Sequence, residues 1–351
     1  MKKRLIAYHL PQFHEIKENN EWWGEGYTEW TAVKNWKPYF KGHQLRKPSE
    51  ELGYYDLSNP QVLEKQYEIA SNYGLEGFCF WTYWFGNGEM LLEKPLEHLL
   101  LPNSKVKYCF AWANHSWWDK STWRLLKEQK YLGKEDYINF YKTLSPHFNN
   151  PNYIKKDNKL VLVIYESQDI PDLNVFMDTF NKLAIEDGYD GFFFIADHFA
   201  PEPKYLSKKE IIDIFDSYMC TNYPFKNRSI LKKIIGRLIR WYSWTFLGPD
   251  SFSYPKLMKN IFKKEYGDKK FIPMIFTGWD STPRHKKRGI VTRNFNEKTF
   301  EEHARYIFEF NNKNDFVFIK SWNEWAEGNV LEPDDIFGTK LLNIIKKLNN
   351  K

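Results

Sequence analysis

The chain has 351 residues, 19% of them aromatic, with 15 Trp and 22 Tyr, and its formal charge of +6 is spread over interspersed basic and acidic residues. So mild a charge, with no recognised nucleic-acid motif, argues against a nucleic-acid binder, and no window reaches the roughly 18 apolar residues of a membrane-spanning helix. Three cysteines without a CxxC pair, Cys79, Cys109 and Cys220, give no zinc signature and point to a reducing compartment. The basic start MKKRLIAYHLPQFH has too short an apolar stretch for a signal peptide, broken by His9, Pro11 and Gln12, so a cytoplasmic protein is expected.

Eight short apolar runs follow one another: 4–10, 75–84, 105–114, 159–165, 191–197, 211–218, 271–280 and 316–325. They are rich in β-branched and aromatic residues and mostly continuous, as in strands covered on both faces. Helical patterns separate most of them, at 59–74, 134–144, 172–188 and 296–310, with a closing helix over the last 16 residues. The first of these opens on Asn-Pro and stops at Gly74, a start and stop pair. Strand alternating with helix implies parallel strands and right-handed crossovers. Eight such units predict a (β/α)8 TIM barrel as a single domain over residues 1–351; a doubly wound open sheet is the rival. Two stretches break the alternation. Residues 11–58 form a long insertion after strand 1. Residues 222–250, after strand 6, hold an amphipathic basic helix with Lys232, Lys233, Arg237 and Arg240 on one face. That helix suits either an anionic membrane surface or plain packing with a solvated basic side.

In such a barrel the chemistry lies at the C-terminal strand ends. Those ends carry Tyr8, His9, Gln12 and His14 after strand 1, and Trp81, Tyr83 and Trp84 after strand 2. Strand 3 brings Trp112, Asn114 and His115, strand 4 Tyr165, strand 5 Asp197 and His198, and strand 6 Tyr218. Strand 7 brings Trp279 and Asp280 with Arg284 beyond, and strand 8 Trp322, Asn323, Glu324 and Glu327. An aromatic plus a hydrogen-bonding group at nearly every tip suits a polyhydroxylated ligand with flat apolar faces. Tryptophan packing in the core accounts for Trp81, Trp112 and Trp279 equally well. His9, His14 and Glu29 do not form a recognised metal-ligand spacing, and no metal or cofactor is expected.

Glu324 and Glu327 flank Trp325 in WNEWAEG. Glycosidic chemistry needs two carboxyl groups, one to protonate the leaving oxygen and one to act as base or nucleophile. An apolar wall raises the pKa of the acid, and tryptophan supplies one. Spacing alone leaves a second account open, two acidic caps at the start of the last helix.

The ordered stretches YHLPQFH (8–14), EWWGEGYTEW (21–30, with Glu29 and Trp30), KGHQLRKP (41–48), LGYYDL (52–57), GFCFWTYWF (77–85), WAN (112–114), GWDSTPR (278–284) and WNEWAEG with LEPD (322–334) together resemble the WbsX-like family. Its members are named as glycosyltransferases of bacterial surface-polysaccharide (O-antigen or capsule) clusters. It is similar in turn to the glycoside hydrolase family 99 endo-α-mannosidases and endo-α-mannanases, which are (β/α)8 barrels. The resemblance covers nearly the whole chain. It implies a retaining reaction on an α-linked sugar, in which Glu324 deprotonates the sugar 2-hydroxyl and Glu327 is the acid and then the base. It implies an oligosaccharide or polysaccharide substrate, lipid-linked if the basic helix at 230–246 rests on the inner membrane face. Transfer and hydrolysis stay open, and a glycan-binding protein without catalysis is the alternative. The chain departs from the family at WANHSW (112–117), where many members read WANENW, so His115 stands in place of a glutamate.

Overall fold

The computed structural model describes residues 2–119, 122–197, 208–221, 248–259, 270–310 and 314–350. Eight strands make the sheet: β1 (Arg4–His9), β2 (Gly77–Trp84), β3 (Tyr108–Trp112), β4 (Lys159–Ile164), β5 (Phe192–Asp197), β6 (Ser217–Met219), β7 (Met274–Phe276) and β8 (Phe316–Lys320). They lie in the order β6-β5-β4-β3-β2-β1-β8-β7, each parallel to its neighbour. Between β6 and β7 the ring is drawn together by the Tyr218–Phe271 bridge, with Tyr218 N donating to Lys270 O and Ile272 N to Tyr218 O, both at 2.9 Å. The result is a nearly closed barrel, not an open sheet.

Helices α1 (Pro60–Asn72), α2 (Lys134–Phe148), α3 (Leu173–Glu186), α4 (Lys208–Ile214), α5 (Glu297–Glu309) and α6 (Lys340–Asn349) accompany the strands. Local chemistry sets their ends. The Asn59 side chain accepts from Gln61 N at the start of α1, with Pro60 as first helical residue. Asn296 and Thr299 form a reciprocal capping box at the start of α5. Gly77 opens β2 where a Cβ would stand 2.2 Å from the Lys107 carbonyl oxygen, so only glycine permits this close approach to the chain entering β3.

The apolar run at 211–218 is not one strand. Its first half belongs to α4, with Phe215 N donating to Ile211 O just past the helix end, and the strand begins only at Ser217. Ile211 and Phe215 are both buried, four residues apart, which is the spacing of one helical face. A short apolar run cannot distinguish these periods.

Side chains alternate across each strand. One set points to the helices: Phe192 and Phe194 pack with Phe180 or Phe176 of α3, and His9 Nε2 donates to Gln66 Oε1 of α1 at 3.0 Å. The other set fills the barrel: Tyr8 meets Phe318 and Trp81, and Cys79 lies beside Cys109 in register. Each fully buried phenylalanine or leucine contributes on the order of 2 kcal/mol, so this two-sided core holds the strand tips rigidly. The insertion after strand 1 contains short helices Lys17–Trp23 and Glu29–Lys34. Arg46 fastens its far end, donating to the carbonyl oxygens of Thr277, Gly328 and Val330 at 2.6–2.7 Å. The basic stretch 230–246 lies outside the described residues. Among the described residues no helix is long and apolar enough to cross a membrane.

Candidate active site

Beyond β8 the chain does not enter a helix directly. Asn323–Glu324 pairs antiparallel with Asn329–Val330, and Trp325–Glu327 makes one tight turn between them. The last helix starts only at Lys340, so the two glutamates are not its caps. Gly328 closes the turn at φ +62°, where a Cβ would lie 2.7 Å from Asp280 Cβ. Asp280 N in turn donates to Glu327 O at 2.6 Å. This backbone contact fixes the turn against the β7 tip.

Both glutamates face the barrel mouth. Glu324 Oε1 accepts from Trp81 Nε1 at 3.1 Å. Glu327 Oε1 accepts from Arg284 Nη1 at 2.7 Å, and Arg284 also reaches Glu29 at 3.0 Å. Glu324 and Glu327 share a hydrogen bond. Burial, then the neighbouring Glu327, push Glu324 up to about 7, against the pull of Lys320 and Arg284. Burial also raises Glu327, but Arg284, Lys320 and the bond from Glu324 outweigh it and hold Glu327 below the ordinary carboxylate range. The two displacements run in opposite directions, Glu324 toward the acid form and Glu327, beside Arg284, toward the carboxylate.

Tyr8 stacks on Trp81 with centroids 4.6 Å apart, and Tyr165 meets the Trp81 ring edge-on at 5.3 Å. Tyr8 Oη donates to Asp197 at 3.3 Å, whose carboxyl is raised to about 6 by burial despite bonds from Thr221 and Tyr8. Tyr83 stands close enough to Glu324, Glu29 and Glu327 for their charges, after burial, to push its hydroxyl pKa up. His115 is exposed, 5.4 Å from the Tyr165 ring. Tyr8, Glu29, Trp81, Tyr83, His115, Tyr165, Asp197, Arg284, Glu324 and Glu327 therefore form one neighbourhood, and Trp279 adjoins it, with Lys320 Nζ 5.5 Å from its ring centroid.

The sequence profile of the family described as Glycosyltransferase WbsX matches residues 5–345. The chain belongs to the WbsX family. It is 30% identical over 345 residues to the protein WxcX of Xanthomonas campestris pv. campestris, in both strain B100 and strain ATCC 33913. The match covers 95% of the chain and 48% of WxcX, so the chain spans about half the length of these relatives. Its fold is similar to the family 99 endo-α-mannosidase of Bacteroides thetaiotaomicron, at TM-score 0.57 and 15% identity over 99% of this chain and 96% of that one. A glycoside hydrolase-like protein gives TM-score 0.60 at 17% identity, over 99% and 94% of the two chains.

Several of the residues read from the strand tips lie behind this mouth. Trp84 stacks on Phe140 and donates to Asp136 of α2, and Trp112 packs on Phe140 and Phe176, so both rings sit between strands and helices, away from the cavity. Asn114 braces the loops through Tyr131 and Glu166. Asn323 holds Leu10 N and O, and Trp322 packs on Phe78. Trp30 packs on Phe13 and donates to Tyr55 O. His9 is lowered to about 3 by burial, and His14 Nδ1 meets Pro11 O. With Glu29 on Arg284, the three do not gather as a metal site. Gln12 contributes its carbonyl to Glu29 N. Asp280 pairs with His43 at 2.8 Å, not with Arg284. His198 lies outside the described residues.

Three participants were not singled out from the sequence. Glu332, from LEPD, is a buried carboxyl that accepts from Gln66, Trp322, Trp325 and Tyr55 at 2.7–3.1 Å. It grips the two tryptophans that flank Glu324. Trp117 meets Tyr83 at 5.1 Å and Trp22 at 5.8 Å, extending the aromatic wall outward. Lys320 ends β8 inside the barrel; its signal was a charge in phase with Phe318 on an otherwise apolar strand.

Proposed function

We propose that the chain is a retaining carbohydrate-active enzyme of bacterial surface-polysaccharide assembly or trimming, acting on an α-linked sugar through Glu324 and Glu327. One observation carries this: two buried, adjacent carboxyls of opposite pKa displacement, Glu324 bonded by Trp81 and Glu327 by Arg284, at the mouth of an aromatic-walled barrel. Such a pair supplies one acid and one base together. Trp81, Tyr83, Tyr165 and Trp279 give the apolar and hydroxyl surfaces that a sugar ring stacks on and bonds to. Family membership supports a glycan substrate.

In the productive form Glu324 takes the proton of the sugar 2-hydroxyl as O2 attacks the anomeric carbon. Glu327 gives its proton to the departing oxygen. A hydroxyl, from water or from a second sugar, then opens the 1,2-anhydro ring: Glu327 removes its proton and Glu324 returns one to O2. Water makes the enzyme a hydrolase; a sugar hydroxyl makes it a transferase. Placement at the cytoplasmic face of the inner membrane, on a lipid-linked glycan held near the basic stretch 230–246, belongs to the same proposal.

His115 in place of the family glutamate favours a second account, a glycan-binding protein that has lost turnover. One experiment separates them. The purified protein, Glu324→Gln and Glu327→Gln are incubated with the host's lipid-linked and polymeric surface glycans, followed by mass spectrometry. Shortened glycans with wild type alone mark a hydrolase, and added sugar units a transferase. Binding by all three proteins with no change of mass rejects the enzyme.

A further inference from the structure

Two short helices brace the acidic pair from outside. Glu29, in the helix Glu29–Lys34, and Arg284, in the helix Thr282–His285, meet at 3.0 Å, and Arg284 goes on to Glu327. Each helix also has a second side. Thr31 and Ala32 of the first and Thr282 and Pro283 of the second line a cavity of about 440 Å³. That is within the roughly 300–1,000 Å³ of small-molecule sites. The cavity thus shares its walls with the elements that hold Glu327.

Its other walls are the rings of Tyr27, Trp36 and Tyr39, with Asn35 and two cations, Lys37 and Lys286. Both lysines are exposed. Among the described residues no carboxylate lines the cavity. The two segments that build it are free of acids over long stretches, from Trp30 to Ser49 and from Ser281 to Asn296, and each stretch carries five Lys or Arg. On a chain of only mild net charge, the cations are locally concentrated here.

The two segments are also fastened together. Trp36 Nε1 donates to Thr282 Oγ1 at 2.8 Å, and the Trp36 ring meets His43 edge-on at 4.9 Å. His43 stacks on Phe40 at 4.2 Å and pairs with Asp280 at 2.8 Å, and the Arg293 guanidinium lies over the Phe40 ring at 4.4 Å. Lys286 has φ +52°, where a side chain is strained and glycine is the low-cost residue. At Gly289 a Cβ would lie 2.8 Å from Thr282 Cα, so the turn that carries Lys286 is pressed onto the start of its helix. A lysine held in such a backbone points to a use for its ammonium.

We propose that this cavity is a subsite for an anionic sugar of the glycan, its ring received by Trp36 and Tyr39 and its carboxylate or phosphate balanced by Lys37 and Lys286. Aromatic faces take the apolar side of a ring, and the two ammonium groups take the charge. The inference rests on the proposed function and narrows its substrate to a glycan bearing acid groups away from the reacting bond.

Trp36 reports on the cavity without any turnover. In protein labelled with 5-fluorotryptophan its resonance is assigned by its loss in Trp36→Phe. Methyl glucuronide and glucose 1-phosphate are titrated beside neutral methyl glucoside, which separates a carboxylate from a phosphate as the anion. At least one anionic sugar should shift Trp36 and bind about tenfold more tightly than the neutral one, with the difference shrinking as salt rises. Lys37→Gln and Lys286→Gly should each weaken that binding about fivefold, while Glu324→Gln should bind as wild type. Lys286→Gly should melt no lower than wild type, because it also relieves the strained φ; a purely structural lysine would not behave so. Should it melt lower, Lys286→Gln carries the binding comparison. Equal shifts with neutral and anionic sugars, no shift with any, or binding unchanged in both lysine variants overturns the proposal. So does a Trp36 that answers only to vesicles of anionic lipid. Anionic-sugar binding in a protein that turns over no glycan rejects the proposed function and leaves the subsite standing. Turnover of neutral and acidic glycans at equal rates, with Trp36 unmoved, does the reverse.

Discussion

The indole N–H of Trp81 donates to Glu324 at 3.1 Å while the same ring stacks on Tyr8. One side chain therefore offers an aromatic face and a hydrogen-bond donor to a carboxyl. Trp81→Phe separates the two roles, since phenylalanine keeps an aromatic face and loses the donor. A hydrogen bond to a charged group is worth about 1.5–3 kcal/mol. We expect a folded protein whose kcat falls roughly 10- to 100-fold with glycan affinity little changed, read by steady-state kinetics beside isothermal titration. Unchanged kcat would remove the hydrogen bond from the chemistry.

Activity should follow a bell in pH. The pair works with one proton. Below the depressed pKa of Glu327 it takes up a second and the base is lost; above about 7 it gives up its only proton and the acid is lost. A rate still rising well above pH 8 would refute this assignment.

Stability should fall over part of the same range. Glu324 and Glu332, both raised to about 7, and Asp197, raised to about 6, bind protons more tightly folded than unfolded. Their contribution is fully present below the unfolded carboxylate values, 4.5 for glutamate and 3.8 for aspartate, and is lost as pH rises through the folded ones. Glu327 acts the other way, losing its contribution as pH falls through its depressed value. Melting temperatures between pH 4.5 and 8 should decline less steeply in Glu324→Gln than in wild type. Equal slopes would count against the raised pKa.

Arg284→Met should be costly to the fold as well as to the site. It strands Glu29 and Glu327, both mostly buried, and one broken pair of this kind costs about 3 kcal/mol. Chemical denaturation should show a loss of that order. A variant as stable as wild type would mean that solvent reaches both carboxylates.

Glu332→Gln tests the support behind the turn. The carboxyl accepts from four side chains, and an amide presents a donor where donors already point. We expect destabilisation of about 2–3 kcal/mol together with a drop in kcat, although the residue is buried behind the turn. Loss of stability without loss of kcat in the remaining folded protein would confine its role to the fold.

The barrel was legible because buried parallel strands write themselves as continuous apolar runs, and helix starts such as Asn59-Pro60 are local. The run at 211–218 failed because Ile211 and Phe215 satisfy a helical face as readily as a strand. Within the site, the acidic pair stood out by type and spacing. Which neighbours face the cavity was not legible, since a strand tip shows which residues are near but not which side they take. Trp81 and Trp84 differ in just this way, one turned to Glu324 and the other to α2. Nor does sequence reveal that Arg284 chooses Glu29 and Glu327 over Asp280, because partners 255 and 43 residues away are set by the fold.

The pairing of β1 with β8 joins Ala7 to Ile319. A ribosome adding about 5–20 residues per second needs tens of seconds to supply the second strand after the first. Throughout that interval Tyr8 has no Phe318, Trp81 has no Glu324, and Arg46 lacks the carbonyls of Gly328 and Val330. Until β8 and the turn after it are made, the aromatic wall has no glutamates to face and the barrel cannot close on its own beginning.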